Sequence, residues 1–274
     1  MEGLQGRVQV EVGASGDDRA ARPLAAVRPL IVDGLELRYG PVHAVRGVSF
    51  EVARGAVVGL IGPNGCGKTS TLRAVAGLVQ PNRGRVIVNG AAHGTISARR
   101  QLVYVPDEPD GLDELCVDEY LRLVRVLYGA GAEFDARAEA LVRSFGLESS
   151  RRLCLGALSH GRRRATSFVG AFALARPLLV VDEATAALDP EASVVMREAL
   201  RAAAAAGAGV LVASQELAFA ERACDEIVLL GNGRVLTAGP TQALTRGCSL
   251  EDVFLDAVGA RARLAGIRDG LDAL

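Results

Sequence analysis

The chain has 274 residues, which suits one large α/β domain, or a domain with a sub-lobe, better than two independent ones. Half of it is apolar, with much of that share alanine and few aromatics, and the formal charge is −1, which excludes a global field drawing the chain to nucleic acid or anionic lipid. No apolar run approaches the ~20 residues of a membrane span. Residues 1–22 lack the apolar centre of a secretory signal, so a soluble protein is expected. The cysteines, Cys66, Cys116, Cys154, Cys224 and Cys248, stand at no metal-ligand spacing and are odd in number, as reduced thiols of a cytosolic protein would be.

Residues 1–28 read as a flexible leader, with a breaker cluster around Gly13, Ser15, Gly16, Asp17 and Asp18 and only 8–12 alternating enough for a short strand. From Leu30 the pattern sharpens. Strands are expected at 31–39 and 45–52, with Pro41 at the turn between them, and Val57–Ile61 is an apolar run of the kind buried on both faces of a sheet. A glycine-rich loop and a helix at 68–78 follow, then strands at 86–88 and Leu102–Val105. The middle changes to 3.6-residue apolar spacing at Val117–Leu127, 135–145 and 159–175, a helical lobe inserted at about 108–176. Strand Leu178–Val181, helix 191–206, strand 210–213, helix 216–224 and strand 227–230 resume the core. Gly231-Asn232-Gly233 signals a hairpin into Val235 and Leu236, and the tail, 247–274, carries one helix at 250–258. The predicted class is α/β: a mixed or parallel central sheet, an N-terminal antiparallel β region and an inserted helical subdomain, the main domain covering 29–246.

Gly62, Pro63, Asn64, Gly65, Cys66, Gly67, Lys68 and Thr69 fit the pattern G-x4-G-K-[ST] after a buried strand and before a helix, with Ser70 next along it. Glycines permit the backbone angles that turn successive N–H groups inward as a nest for phosphate oxygens. The helix aims its positive end at the same anion. Lys68 can reach the β- and γ-phosphates, and the Thr69 hydroxyl can ligate Mg²⁺. This predicts a P-loop NTPase core. The apolar strand Leu178–Val181 then ends in Asp182 and Glu183, at the strand edge where α/β sheets bind ligands. Asp182 can hold the Mg²⁺ and Glu183 can polarise an attacking water.

With these motifs, residues 29–245 resemble the ATP-binding cassette of an ABC transporter. Leu158-Ser159-His160-Gly161-Arg162 matches the family signature LSGGQ at Leu158, Ser159 and Gly161 and departs from it at His160 and Arg162. The resemblance implies two cassettes sandwiching two ATP molecules, with Ser159 and Gly161 of one facing the glycine loop of the other. Read alone, the segment is a serine N-cap followed by a basic helix, with Arg162, Arg163 and Arg164 on a solvated face. Ala187-Leu188-Asp189 resembles the loop that links the two sites, though Asp189-Pro190 also caps the next helix. Tyr39 matches the position of the aromatic that stacks on adenine, and an ordinary strand-end tyrosine would stand there too.

Two departures bear on catalysis. Asp107, followed by Glu108, stands where the family has a glutamine near the metal and the attacking water, and Gln215 stands where it has a histidine near the γ-phosphate. An ionised carboxylate cannot donate a hydrogen bond; glutamine can donate one but can neither add charge nor accept a proton. ATP binding with slow hydrolysis is one expectation, and adequate substitution by Gln215 is the other. Residues 107–121 resemble the corresponding loop and helix start of exporter-type (ABC-2-like) cassettes. The resemblance then implies an ATPase that powers solute export through a separate transmembrane permease, paired with a second, identical or different cassette on the inner face of the membrane, with no nucleic-acid partner. A soluble ABC-type ATPase without a transport role, or a slow nucleotide-sensing subunit, is the alternative.

Overall fold

The computed structural model of the chain describes residues 28–108 and 112–260. The expected strand at 8–12, residues 109–111 of the exporter-like loop and the end of the tail lie outside the described residues.

The first strands, β1 (Leu30–Tyr39) and β2 (Val42–Val52), form an antiparallel hairpin in which Tyr39 pairs with Val42. The second strand therefore begins at 42, ahead of the expected 45, because Gly40 takes a positive φ of 56° and closes the turn tightly. Next come β3 (Val57–Ile61), α1 (Lys68–Val75), β4 (Arg83–Val88), β5 (Ala91–Ala92), α2 (Ile96–Gln101) and β6 (Leu102–Val105). Helix α1 stops short of the expected 78 because Gly77, at φ 71°, turns the chain so that its N–H and that of Leu78 bond back to Ala74 and Arg73. The sequence reading missed α2, although Thr95 caps it by accepting the Ala98 N–H at 3.2 Å.

The helical lobe follows as α3 (Val117–Leu127), α4 (Ala132–Ser144) and α5 (His160–Ala173). Phe145 and Phe168 meet within it, ring centroids 6.4 Å apart. The core resumes with β7 (Leu178–Val181), α6 (Pro190–Ala205), β8 (Gly209–Ser214), α7 (Leu217–Ala223), β9 (Glu226–Gly231), β10 (Arg234–Pro240), α8 (Thr241–Leu244) and α9 (Leu250–Ala257). Asn232 and Gly233, both at positive φ, make the β9–β10 connection a type I′ hairpin, as the Asn-Gly pair required.

One sheet is antiparallel, in the order β2-β1-β4-β5. The other is mixed, in the order β10-β9-β3-β8-β7-β6, with β9 to β6 parallel and β10 antiparallel at its edge. Alternate residues of the parallel strands serve two cores. Val57, Ile61, Val103, Val105, Leu179 and Val181 pack toward the helical lobe, α6 and α7. Val58, Leu60, Leu102, Leu178, Val180 and Leu211 pack toward α1 and the antiparallel sheet. This two-sided burial explains why these strands are nearly all apolar. It also sets β3, β8, β7 and β6 side by side, with their C-terminal ends opening on one edge.

Candidate active site

That edge holds a cleft of about 290 Å³, and each of the four neighbouring strands delivers a residue to it. Asn64, Gly65, Gly67, Lys68, Thr69 and Ser70 follow β3, Asp107 follows β6, Glu183 follows β7 and Gln215 follows β8. Ala44 of β2 closes one side. Gly67 caps α1 at φ 106°, and a Cβ there would lie 2.6 Å from the Ala44 carbonyl oxygen, so only glycine admits this approach. The positive end of α1 thus opens on the cleft.

Lys68 is buried, and its ammonium donates to the carbonyls of Gly62 at 2.8 Å and Pro63 at 3.3 Å. It also stands 3.4 Å from Glu183 Oε1. The other oxygen, Oε2, accepts the Gln215 backbone N–H at 3.3 Å, a contact that does not depend on the side chain at 215. Glu183 holds φ 49°, a left-handed conformation that costs a non-glycine residue ~1–2 kcal/mol. Strain of this kind persists only where neighbours fix the backbone.

Asp182 is 1% exposed. Its backbone N–H donates to the Val105 carbonyl at 2.9 Å, and its Oδ2 accepts the Tyr104 hydroxyl at 3.4 Å. Its Oδ1 is buried without a hydrogen-bond partner. Burial pushes this carboxyl above the ordinary aspartate range; the adjacent Thr69 hydroxyl opposes the shift, and the charges of Glu183 and Asp107 add to it. Burial and the Asp182 charge push Tyr104 up to about 12, so it remains a donor toward the carboxylate.

Other residues singled out in the sequence fall elsewhere. Tyr39 ends β1 with 42% of its surface exposed and does not line the cleft. Cys66 turns into the core, and burial raises its thiol above the usual range, which keeps it unreactive. Ser159 caps α5, accepting the Arg162 N–H at 3.4 Å, and this helix end is exposed on a face that does not line the cleft. Gly161 sits so close to the loop after β7 that a Cβ would meet the Ala187 carbonyl oxygen at 2.5 Å. Asp189 accepts the Ala192 N–H at 2.8 Å and caps α6.

One expectation is overturned. Arg162 is exposed and Arg163 half-buried, but Arg164 is 1% exposed and not on a solvated face. Its guanidinium donates to Asp107 Oδ1 at 2.8 Å, to the Asp182 carbonyl at 3.0 Å and to the carbonyls of Asp107 and Glu183, and it lies 5.2 Å from the Phe168 ring centre. The reason is helical geometry: residue 164 lies one turn before Phe168, on the buried face of α5. Counting back from Phe168 at i−4 would have found it.

The family model described as ABC transporter matches residues 45–186, just over half of the chain, and the chain belongs to that family. Within the family it is an ATP-binding subunit and an ATPase. It is 35% identical over 251 residues to the Nod factor export ATP-binding protein I of Ralstonia nicotianae, covering 89% of this chain and 78% of that one. It is 33% identical to the ABC-type transporter ATP-binding protein EcsA of Bacillus subtilis, covering 77% and 87% of the two chains. Against the lipopolysaccharide export system ATP-binding protein LptB of Acidithiobacillus ferridurans it is 32% identical, covering 77% and 90%. A solved ATP-binding subunit of an ABC transporter superposes with a TM-score of 0.79 at 36% identity, over 84% of this chain and 99% of that one. The dimeric structure of the bacterial cassette MJ0796 shares the fold at a TM-score of 0.71 and 20% identity, over 77% and 98%.

Proposed function

We propose that this chain powers the export of a solute through a separate membrane subunit, as one of two cassettes that close on ATP and reopen after hydrolysis. The observation that carries the reading is the cleft itself, where four adjacent strand ends converge on a buried lysine and two acids. Relatives named for export support the direction of transport. The exposed N-terminal end of α5, with Ser159 and Gly161, suits a phosphate carried by a second cassette. Among the described residues no helix is long and apolar enough to cross a membrane, so the membrane path belongs to the partner, which holds this chain at the inner face. Residues 29–246 form the ATP-binding domain, with the helical subdomain at about 108–176.

Lys68 is held by two loop carbonyls and Glu183. A triphosphate in the cleft offers the ammonium a stronger, fully charged partner. Glu183 is then free to accept a hydrogen bond from the water that attacks the γ-phosphorus, while its Oε2 stays anchored on the Gln215 N–H. The partnerless Oδ1 of Asp182, beside the Thr69 hydroxyl, fits a Mg²⁺ site. When bound there, Mg²⁺ neutralises charge on the phosphates.

Asp182 therefore costs stability in the nucleotide-free chain. Its carboxyl is raised above the unfolded value, so its contribution to stability is complete below the ordinary aspartate range and is lost as pH rises through the raised value. Asp182→Asn is expected to raise the neutral-pH Tm of the nucleotide-free chain by roughly 2–4 °C, for about 1 kcal/mol, and to flatten this pH dependence. The same variant should lose the Mg²⁺ dependence of ATP binding. Thermal unfolding from pH 4 to pH 8 checks the first effect; an unchanged profile contradicts it.

The proposal is tested by isolating the chain with its native membrane subunit and measuring ATPase activity with and without candidate solutes. Solute-stimulated turnover supports export, and association with ribosomes or DNA in place of a membrane protein refutes it. In the same complex Gln215→His is expected to raise turnover by ~10-fold or more, since one optimised transition-state contact is worth ~10²–10³. No gain would show that Gln215 serves adequately.

A further inference from the structure

We propose that Arg164 is a positioning residue for ATP hydrolysis, paired with Asp107, which holds Glu183 in its left-handed backbone conformation and so aims the catalytic carboxylate. The inference rests on Glu183 acting on the attacking water.

A guanidinium has five N–H donors in one plane; in Arg164 both terminal nitrogens are used, while the Nε is buried without a hydrogen-bond partner. All four acceptors of Arg164 belong to the edge of the cleft. One terminal nitrogen donates to the side chain and carbonyl of Asp107, the other to the carbonyls of Asp182 and Glu183. The last of these orients the peptide that leaves Glu183, whose φ of 49° an L-residue rarely adopts. The same guanidinium ties the loop after β6 to the loop after β7, adding to the bonds that Asp182 makes with the Val105 carbonyl and the Tyr104 hydroxyl. Arg164 touches the backbone of the acids and does not line the cleft, so its effect passes through Glu183. The carboxylate of Asp107 is correspondingly committed to Arg164, its charge balancing a cation that is 1% exposed.

A lysine at 164 keeps the charge but cannot span the two loops, because an ammonium lacks the planar fork. The full chain, isolated with its membrane subunit, is compared as wild type, Arg164→Lys, Asp107→Ala and Asp107→Ala/Arg164→Lys for ATP affinity, turnover and thermal unfolding. Arg164→Lys is expected to lower turnover ~10–100-fold with ATP affinity within about threefold, a split that mere loosening of the fold does not produce. Removing Asp107 as well should cost less than a further threefold, since the pair acts as a unit. Arg164→Lys keeping more than half the turnover, or losing ATP affinity in parallel, overturns the inference, as does a double variant whose losses multiply. Glu183→Gln serves as the control: if it retains turnover, the underlying assignment of Glu183 fails, whatever Arg164 does.

Discussion

Glu183→Gln is expected to lower ATP turnover by ~10²–10⁴-fold, the range for loss of a positioned general base. The substitution keeps the shape of the side chain and its carbonyl oxygen, so the Gln215 N–H retains an acceptor. It removes the capacity to take a proton from water. It also removes the charge that pairs with Lys68 at 3.4 Å, and with that competitor gone ATP should bind at least as tightly as to the wild type. Affinity and turnover therefore move in opposite directions, which separates this variant from one that merely unfolds. Phosphate release measured beside equilibrium nucleotide binding decides the matter. A turnover within threefold of the wild type would show that the proton goes elsewhere.

The edge that holds the cleft was legible because its parts are local in sequence. The loop over 62–67 and the acids after β7 are each a short run whose meaning follows from the strand before it, and parallel-sheet topology brings their ends together. The β9–β10 hairpin was equally direct, since Asn232 and Gly233 are the residues that accept two positive φ values in succession. What escaped were features made by contacts distant in sequence. Arg164 sits in a run of three arginines, and composition assigns such a run to solvent. Its burial follows from the rotation of α5, which Phe168 fixes, and from acceptors on two loops up to 57 residues away. The true ends of α1 and β2 depended on glycines at 77 and 40 taking positive φ, which spacing alone does not reveal. Tyr39 shows the converse: its place at the end of β1 was read correctly, yet it stands exposed, outside the cleft lining.

The central claim is that the chain grips ATP through Lys68 and the loop around it. On this claim Lys68 would make charge-assisted contacts to phosphate, each worth ~1.5–3 kcal/mol, so Lys68→Ala is expected to weaken ATP binding by ~10²-fold. The loss should follow the phosphates: AMP, which lacks the groups that Lys68 reaches, should bind the variant and the wild type alike. Folding should survive, because among the described residues the ammonium bonds to loop carbonyls and Glu183 and lies outside both apolar cores. The decisive measurement is an equilibrium titration of the purified chain with ATP and Mg²⁺, wild type against Lys68→Ala. Saturable binding by the wild type, weakened ~100-fold in the variant, is the expected result. Absence of saturable binding, or equal affinity in the two proteins, would contradict the account.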